Sequence, residues 1–407
     1  MTSDCIPIVT ILALILLFCA AGPQMTAFAE DGDDVPRPLD TVAIAELDKK
    51  VSHHPGAEMP KHWITTPPAP MVIRKGEIAK TATYQEALGY TFMINSMKRP
   101  RLVRMHCGRL VLVATGWLNE TGVEDGFIIT SDDDGLTWTQ PRPLMHGTVV
   151  NLGGDKLMIF GSQMIFSNDG GDTWSEPEPF PRQPGGGPCY HHGNVLVEGR
   201  TITGVFCGPD PMGTPWKQFL LRSHDSGRTW DPPHYMPEGW GSEGAITRAK
   251  DGALVVALRT GQAEGYPEYN DHWRRIRTAR STDDGKTWTD MQVYFKYGKV
   301  HSDLLTLPNG DILNVYATRI GELDGHVYHG IEAVLSHDHG KTWDWPNRYY
   351  LFRWAMMGSM HSPQSVLLGD GRVMTVLLYH YDAPWGKRIL PAAQNIGLVD
   401  AIFWSPG

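Results

Sequence analysis

Eight residues, Ser281-Thr-Asp283-Asp-Gly285-Lys-Thr287-Trp288, follow the frame Ser-x-Asp-x-Gly-x-Thr-Trp, and that frame recurs along the chain. The other copies start at Ser131, Ser167, Ser223 and Ser336, so successive copies begin 36, 56, 58 and 55 residues apart. Self-similarity at such a period means a repeat architecture, in which each unit buries its apolar face against the next. The residue types suit a tight turn between strands. Asp and Ser side chains bond nearby backbone N–H groups, Gly supplies a positive φ, and Trp folds back as an apolar plug.

With these turns as landmarks, a second repeat emerges: an apolar alternating run, a Gly- or Asp-bearing turn, and another such run. It spans residues 102–114 around Gly108, 149–161 around Asp155, 195–206 around Gly199, 245–258 around Gly252, 304–316 around Gly310 and 366–379 around Gly371. Each is a hairpin signature. Six hairpins, five of them followed by the eight-residue frame, predict an all-β fold, a six-bladed β-propeller with four strands per blade. The sixth blade lacks the frame. Its outer strands are expected from residues 396–404 and from the segment around residues 71–73, which would close the ring with the two chain ends and leave few free sheet edges.

Composition fits this reading, since 44 Gly, 30 Pro and 14 Trp suit many turns and plugs. The formal net charge is −9 and no Lys/Arg run stands out, so nucleic acid is not an expected partner. The apolar run 6–21, followed by Ala27-Phe28-Ala29, has the length and cleavage pattern of an export signal. It is short for a membrane span. The expected organisation is a signal peptide over 1–29, a Pro-rich segment with one short helix (Ala43, Leu47 and Val51 on one face) over 30–70, and the propeller over 71–407. The mature protein would be secreted or periplasmic, without stable membrane insertion. Signal removal leaves Cys107, Cys189 and Cys207. Cys189 and Cys207 flank the Gly199 turn symmetrically, as a disulfide or as two buried thiols. No C-x-x-C pattern points to zinc, and no cofactor is expected.

In a propeller the inner strands start around one axis, so the residues that precede them share a common mouth. Counting back nine from each hairpin turn residue gives Arg99, His146, Tyr190, Glu243, His301 and Ser362, all polar or ionisable. Lys98, His191, His192, Asp303 and His361 lie beside them. Glu243 and Arg259 are sixteen residues apart across one hairpin, which puts both at the same end of a blade. The histidines admit three readings: a proton-transfer set, imidazole ligands of a divalent metal with Asp303 or Glu243, or polar lining for sugar hydroxyls. Trp117, Trp216, Trp240 and Trp273 lie outside the frames and suit sugar stacking or core packing.

The repeated frame matches the Asp box of the sialidase (neuraminidase) superfamily, and the stretch from Glu243 to Arg259 resembles that family closely. The resemblance covers about residues 95–407 and implies a sialidase-like propeller whose boxes lie at the blade periphery and do no chemistry. It implies that Glu243 polarises a Tyr nucleophile and that Arg259 holds a substrate carboxylate, with Arg319 and Arg99 completing a three-Arg grip. Two positions depart from the family pattern. The acid/base Asp position holds Asn119, with Glu120, Glu124 and Asp125 close by, and the nucleophilic Tyr position holds Ser362, preceded by His361. Tyr190 is then the nearest candidate phenol for Glu243.

These readings lead to an exported glycoside hydrolase of sialidase type acting on an acidic terminal sugar. Glu243, Tyr190, Glu120, Asp125 and His301 are its catalytic candidates; Arg99, Arg259, Arg319, His191, His192 and His361 are its substrate-binding candidates. The partner is a sialylated or other acidic glycan. Two alternatives stand beside it. One is a lyase-like enzyme on uronate glycans, with His301 and Tyr190 moving the proton; the other is a carbohydrate-binding propeller without turnover.

Overall fold

The computed structural model describes residues 90–92, 98–117, 124–139, 142–182, 189–208, 217–237, 241–260, 274–293, 298–323, 326–354, 361–380 and 397–406. The expected signal peptide and Pro-rich segment lie outside them. Strand β1 (Tyr90–Phe92) comes first. Blade 1 holds β2 (Lys98–Arg104), β3 (Leu110–Trp117), β4 (Glu124–Ser131) and β5 (Arg142–Leu144). Blade 2 holds β6 (Thr148–Gly153), β7 (Lys156–Phe160), β8 (Gln163–Ser167) and β9 (Glu178–Pro179). Blade 3 follows with β10 (Tyr190–Glu198), β11 (Thr201–Gly208), β12 (Lys217–Ser223) and β13 (His234–Tyr235). Blade 4 is built from β14 (Gly244–Arg248), β15 (Leu254–Thr260), β16 (Arg275–Ser281) and β17 (Gln292–Val293). Blade 5 is built from β18 (Lys299–Thr306), β19 (Ile312–Leu323), β20 (His326–Ser336) and β21 (Tyr349–Trp354). Blade 6 has β22 (His361–Leu367), β23 (Val373–His380) and β24 (Gly397–Trp404).

Every sheet has four strands in antiparallel order, and blade 6 borrows its fourth from β1. Tyr90 pairs with Ala401 and Phe92 with Val399. The closing strand is therefore Tyr90–Phe92, whereas the sequence pointed to residues 71–73, which lie outside the described residues. A three-residue strand carries too little alternation to be recognised ahead of the structure. The inner strands β2, β6, β10, β14, β18 and β22 touch in that order, and β22 returns to β2, so the ring is closed.

Each box is built as its residue types require. In the fourth, Ser281 Oγ donates to Asp283 Oδ1 (2.7 Å) and accepts from Gly285 N (2.7 Å), while Thr287 donates its N–H (2.8 Å) and hydroxyl (2.6 Å) to Asp283. The hydroxyl and N–H of Thr287 hold the Asp283 carboxyl down at about 2. Positive φ falls on Gly285 and also on Asp284 before it.

The core consists of apolar seams between neighbouring blades. Each box Trp packs on the seam with the preceding blade: Trp138 against blades 6 and 1, Trp174 against 1 and 2, Trp230 against 2 and 3, Trp288 against 3 and 4, and Trp343 against 4 and 5. Blade 6 has no box, yet Trp404 at the end of β24 fills the equivalent place. Its ring lies 5.4 Å from that of Tyr349 in blade 5, and its Nε1 donates to Thr375 Oγ1 at 3.0 Å. Four of the box indoles are partly buried, and burial of Trp343 and Trp404 contributes roughly 2–3 kcal/mol each.

Candidate active site

Glu243 immediately precedes β14 and stands opposite Arg259 in β15, where the Arg259 N–H donates to the Glu243 carbonyl at 2.7 Å. Two glycines permit the crowding here. A Cβ on Gly193 would lie 2.0 Å from the Gly244 carbonyl oxygen, and one on Gly241, at φ 116°, would lie 2.1 Å from that of Arg259. Bare backbone at these positions lets β10 and the loop before β14 close on the Glu243–Arg259 pair.

The side chains follow the backbone. Glu243 Oε1 lies 3.0 Å from Arg259 Nη1 and 3.6 Å from His192 Nδ1, and Oε2 lies 2.7 Å from His301 Nδ1. Arg319 Nη2 lies 3.4 Å from His301 Nε2. A guanidinium only donates, so His301 Nε2 accepts and Nδ1 carries the proton that faces the carboxylate. Burial lowers the His301 pKa below its ordinary value despite Glu243 beside it, which agrees with a neutral ring. Burial alone would raise the Glu243 carboxyl, but His301, Arg259 and His192 outweigh it and hold the group well below the usual carboxylate range. Glu243 is thus an anion at neutral pH, with 11% of its side chain exposed.

The guanidiniums are crowded. Burial lowers Arg319 to about 10, and the Arg259 charge adds to that fall. Arg259 is lowered by burial, opposed by Glu243, and lowered further by Arg274. The sequence reading missed Arg274, which directly precedes β16. The signal available was the run Arg274-Arg-Ile-Arg277 opposite the Arg259 strand, two hairpin strands away from any counted position.

His301 is placed by a bulge. The β18–β19 register shifts between Val300 and Asp303, and His301 adopts φ +55°. Corresponding shifts occur at the same end of β2 (Lys98/Arg101), β10 (His191/Val195) and β22 (His361/Gln364), and Ser362 takes φ +46°. Left-handed backbone at a non-glycine costs on the order of 1 kcal/mol or more and concentrates at functional sites. The bulges re-aim side chains where the inner strands begin.

The remaining candidates fall around this centre. His146, Tyr190, His191 and His192 line a cavity of about 500 Å³ between blades 2 and 3, together with Arg101. Thr148 Oγ1 lies 3.0 Å from His191 Nδ1 and the Asn194 carbonyl lies 3.3 Å from Nε2, so both ring nitrogens are engaged. Burial, with Arg101 and His192 nearby, keeps that imidazole well below its ordinary value and neutral. Ser362 is buried. Arg99 lies in β2 and His361 opens β22. Asp125 pairs with Gly116 and Glu124 with Trp117, at the end of blade 1 where Lys98 meets Thr115. Glu120, Asn119, Trp216, Trp240 and Trp273 lie outside the described residues.

Asp303 faces the opposite opening. It lines a cavity of about 930 Å³ with Asn194 and Gln364, accepts the Ser365 N–H at 2.6 Å, and is pushed up to about 7 by burial. Asn194 ties neighbouring blades together beside this cavity. Its side-chain amide spans from β10 to the Ile246 (2.8 Å) and Leu304 (3.1 Å) carbonyls of the next two blades. Cys189 and Cys207 are free thiols. Tyr190 sits opposite Cys207, which leaves Cys189 one residue out of register and on the other face of the sheet. Among the described residues no group of three or more His, Cys, Asp or Glu is arranged to hold a metal ion, and no helix is long and apolar enough to cross a membrane.

A family model described as a BNR repeat-like domain matches residues 148–323. No curated protein matches the chain. Among solved structures, a protein of unknown function from Dyadobacter fermentans is 19% identical, with a TM-score of 0.56, covering 78% of this chain and 98% of that one. The NanB sialidase of Streptococcus pneumoniae is 12% identical, with a TM-score of 0.55, covering 79% and 73%. An α-L-arabinanase of Penicillium chrysogenum, solved with arabinobiose, is 12% identical, with a TM-score of 0.52, covering 77% and 98%. These likenesses bear out the sialidase-like, six-bladed Asp-box propeller expected from the sequence.

Proposed function

We propose that this protein is an exported glycosidase of sialidase type that acts on an acidic terminal sugar. The observation that carries the reading is the Glu243 cluster. One ionised carboxylate stands against Arg259 and close to Arg319, which is lowered by burial and by the Arg259 charge, with Arg274 beside Arg259. A substrate carboxylate placed among them relieves that crowding and is gripped by forked donors. Glu243 then lies where positive charge develops at the anomeric carbon, as the base or as its electrostatic partner. His301 holds Glu243 in place, since both of its ring nitrogens are engaged. Asp125, or Glu120 near it in sequence, supplies the proton to the leaving oxygen. Glycosidases among the similar folds, a sialidase and an arabinanase, support a sugar substrate.

The test is release of free sugar from a panel of sialosides, uronides and arabinofuranosides. Glu243→Gln should lower turnover of the acidic substrates by about 10²–10⁴-fold. Unchanged rates would remove Glu243 from the reaction. Turnover of arabinofuranosides alone would replace the acidic substrate with a neutral one, and an unsaturated product would replace hydrolysis with elimination. Export predicts a mature N-terminus at Glu30 by mass spectrometry of the secreted protein; a retained residue 1–29 segment would refute it.

A further inference from the structure

The cavity between blades 2 and 3 is chemically one-sided. Arg101, Arg182, His146 and His192 line it, and no Asp or Glu occurs among its described lining residues, in a chain whose formal net charge is −9. Arg182 is exposed, and the Tyr190 ring stands 42% exposed on the same wall. His192 belongs both to this wall and to the Glu243 cluster, with its Nδ1 3.6 Å from the Glu243 carboxylate. The cavity, of about 500 Å³, therefore begins one side chain away from the proposed reaction centre and has room for one sugar residue.

We propose that this cavity is a second sugar subsite that receives an oxyanion, a carboxylate or a sulfate ester, carried by the residue adjoining the one cleaved. The proposal rests on the reading of Glu243 as the reaction centre. It makes the substrate a glycan with acidic groups on two neighbouring residues. Arg182 and Arg101 supply the field, and the Tyr190 face stacks on the ring carbons. Two guanidinium groups on one wall of an acidic protein favour anionic chains over neutral ones there.

Calorimetry with three probes tests it: a digalacturonate, its neutral methyl ester, and a monosulfated digalactoside. The wild-type protein should bind the anionic probes more tightly than the ester. Arg182→Gln should weaken them about tenfold, the scale of one hydrogen bond to a charged group, and leave the ester unchanged. Tyr190→Ala should weaken all three alike. Loss confined to the uronate, or to the sulfated probe, names which oxyanion the cavity takes. Equal binding of acid and ester, absence of binding, or indifference to Arg182→Gln would overturn the subsite. Turnover of a single-sugar chromogenic glycoside, which does not reach the cavity, reports the Glu243 reading separately. Arg182-dependent binding without turnover of any glycoside would leave the subsite standing and remove the glycosidase.

Discussion

Two buried carboxylates in neighbouring blades show how the same residue types serve different ends. In blade 5, Glu332 is fully buried and each oxygen is matched: Lys299 Nζ at 2.8 Å, the Tyr316 hydroxyl at 2.9 Å and Arg348 Nε at 3.0 Å. Lys299 also donates to Thr318 Oγ1 at 3.3 Å. Nothing there is strained or open. At the mouth, Glu243 is partly exposed, one of its partners is a histidine on left-handed backbone, and its guanidiniums repel one another. The first arrangement spends its charges on holding three strands together. The second holds like charges close together beside a partly exposed carboxylate, a pattern common at working sites.

The contrast is most exposed to refutation at Lys299. Lys299→Met strands a buried carboxylate with fewer cations and should cost about 3–5 kcal/mol in chemical denaturation, with turnover per folded molecule unchanged. A loss below 1 kcal/mol would deny the blade-5 cluster its structural role. Asp303 offers an intermediate case, a buried acid that accepts the Ser365 N–H and whose burial outweighs the nearby Arg101 charge. Its carboxyl keeps a proton up to about pH 7 in the native state, while an unfolded Asp loses it near 4. Over that interval the native form binds more protons, so stability falls as pH rises from about 4 to 7. Asp303→Asn should remove that fall and gain on the order of 2–4 kcal/mol at pH 8 relative to wild type, measured by urea unfolding at both ends of the range. Parallel pH profiles for the two proteins would show that Asp303 does not titrate there. The smallest effect on stability, and the most telling, is expected at Arg319. Arg319→Gln removes a cation crowded by Arg259, so unfolding free energy should stay level or rise, while affinity for an acidic sugar drops about 10–100-fold. Destabilisation as large as that of Lys299→Met would make the two clusters alike and end the distinction.

Much of this was legible before the coordinates because it is local. The boxes carry their own hydrogen bonds and glycine, so the motif alone implies the turn, and the turns set the blade count. Glu243 and Arg259 were visible because one hairpin of ordinary register joins them. Counting back nine positions reached His301 and Ser362, although bulges shift the register by one or more residues there. What stayed hidden depends on contacts between blades. Lys299 and Glu332 lie 33 residues apart with no shared pattern, and Lys299 opens a strand in which His301, Ser302 and Asp303 are also buried, so nothing in the sequence singles it out. Asn194 reads as an ordinary strand residue, yet its amide links three blades. The closing strand escaped because three residues do not make a period.

That closing strand has a consequence for how the molecule comes to be. Tyr90 finds its partner Ala401 only after some three hundred intervening residues have been ordered, and contacts so remote in sequence form late and slowly. The pairing of first strand with last, beside the blade 6–blade 1 seam that Trp138 packs against, is therefore a latch: the circle becomes cooperative at the moment the two chain ends meet.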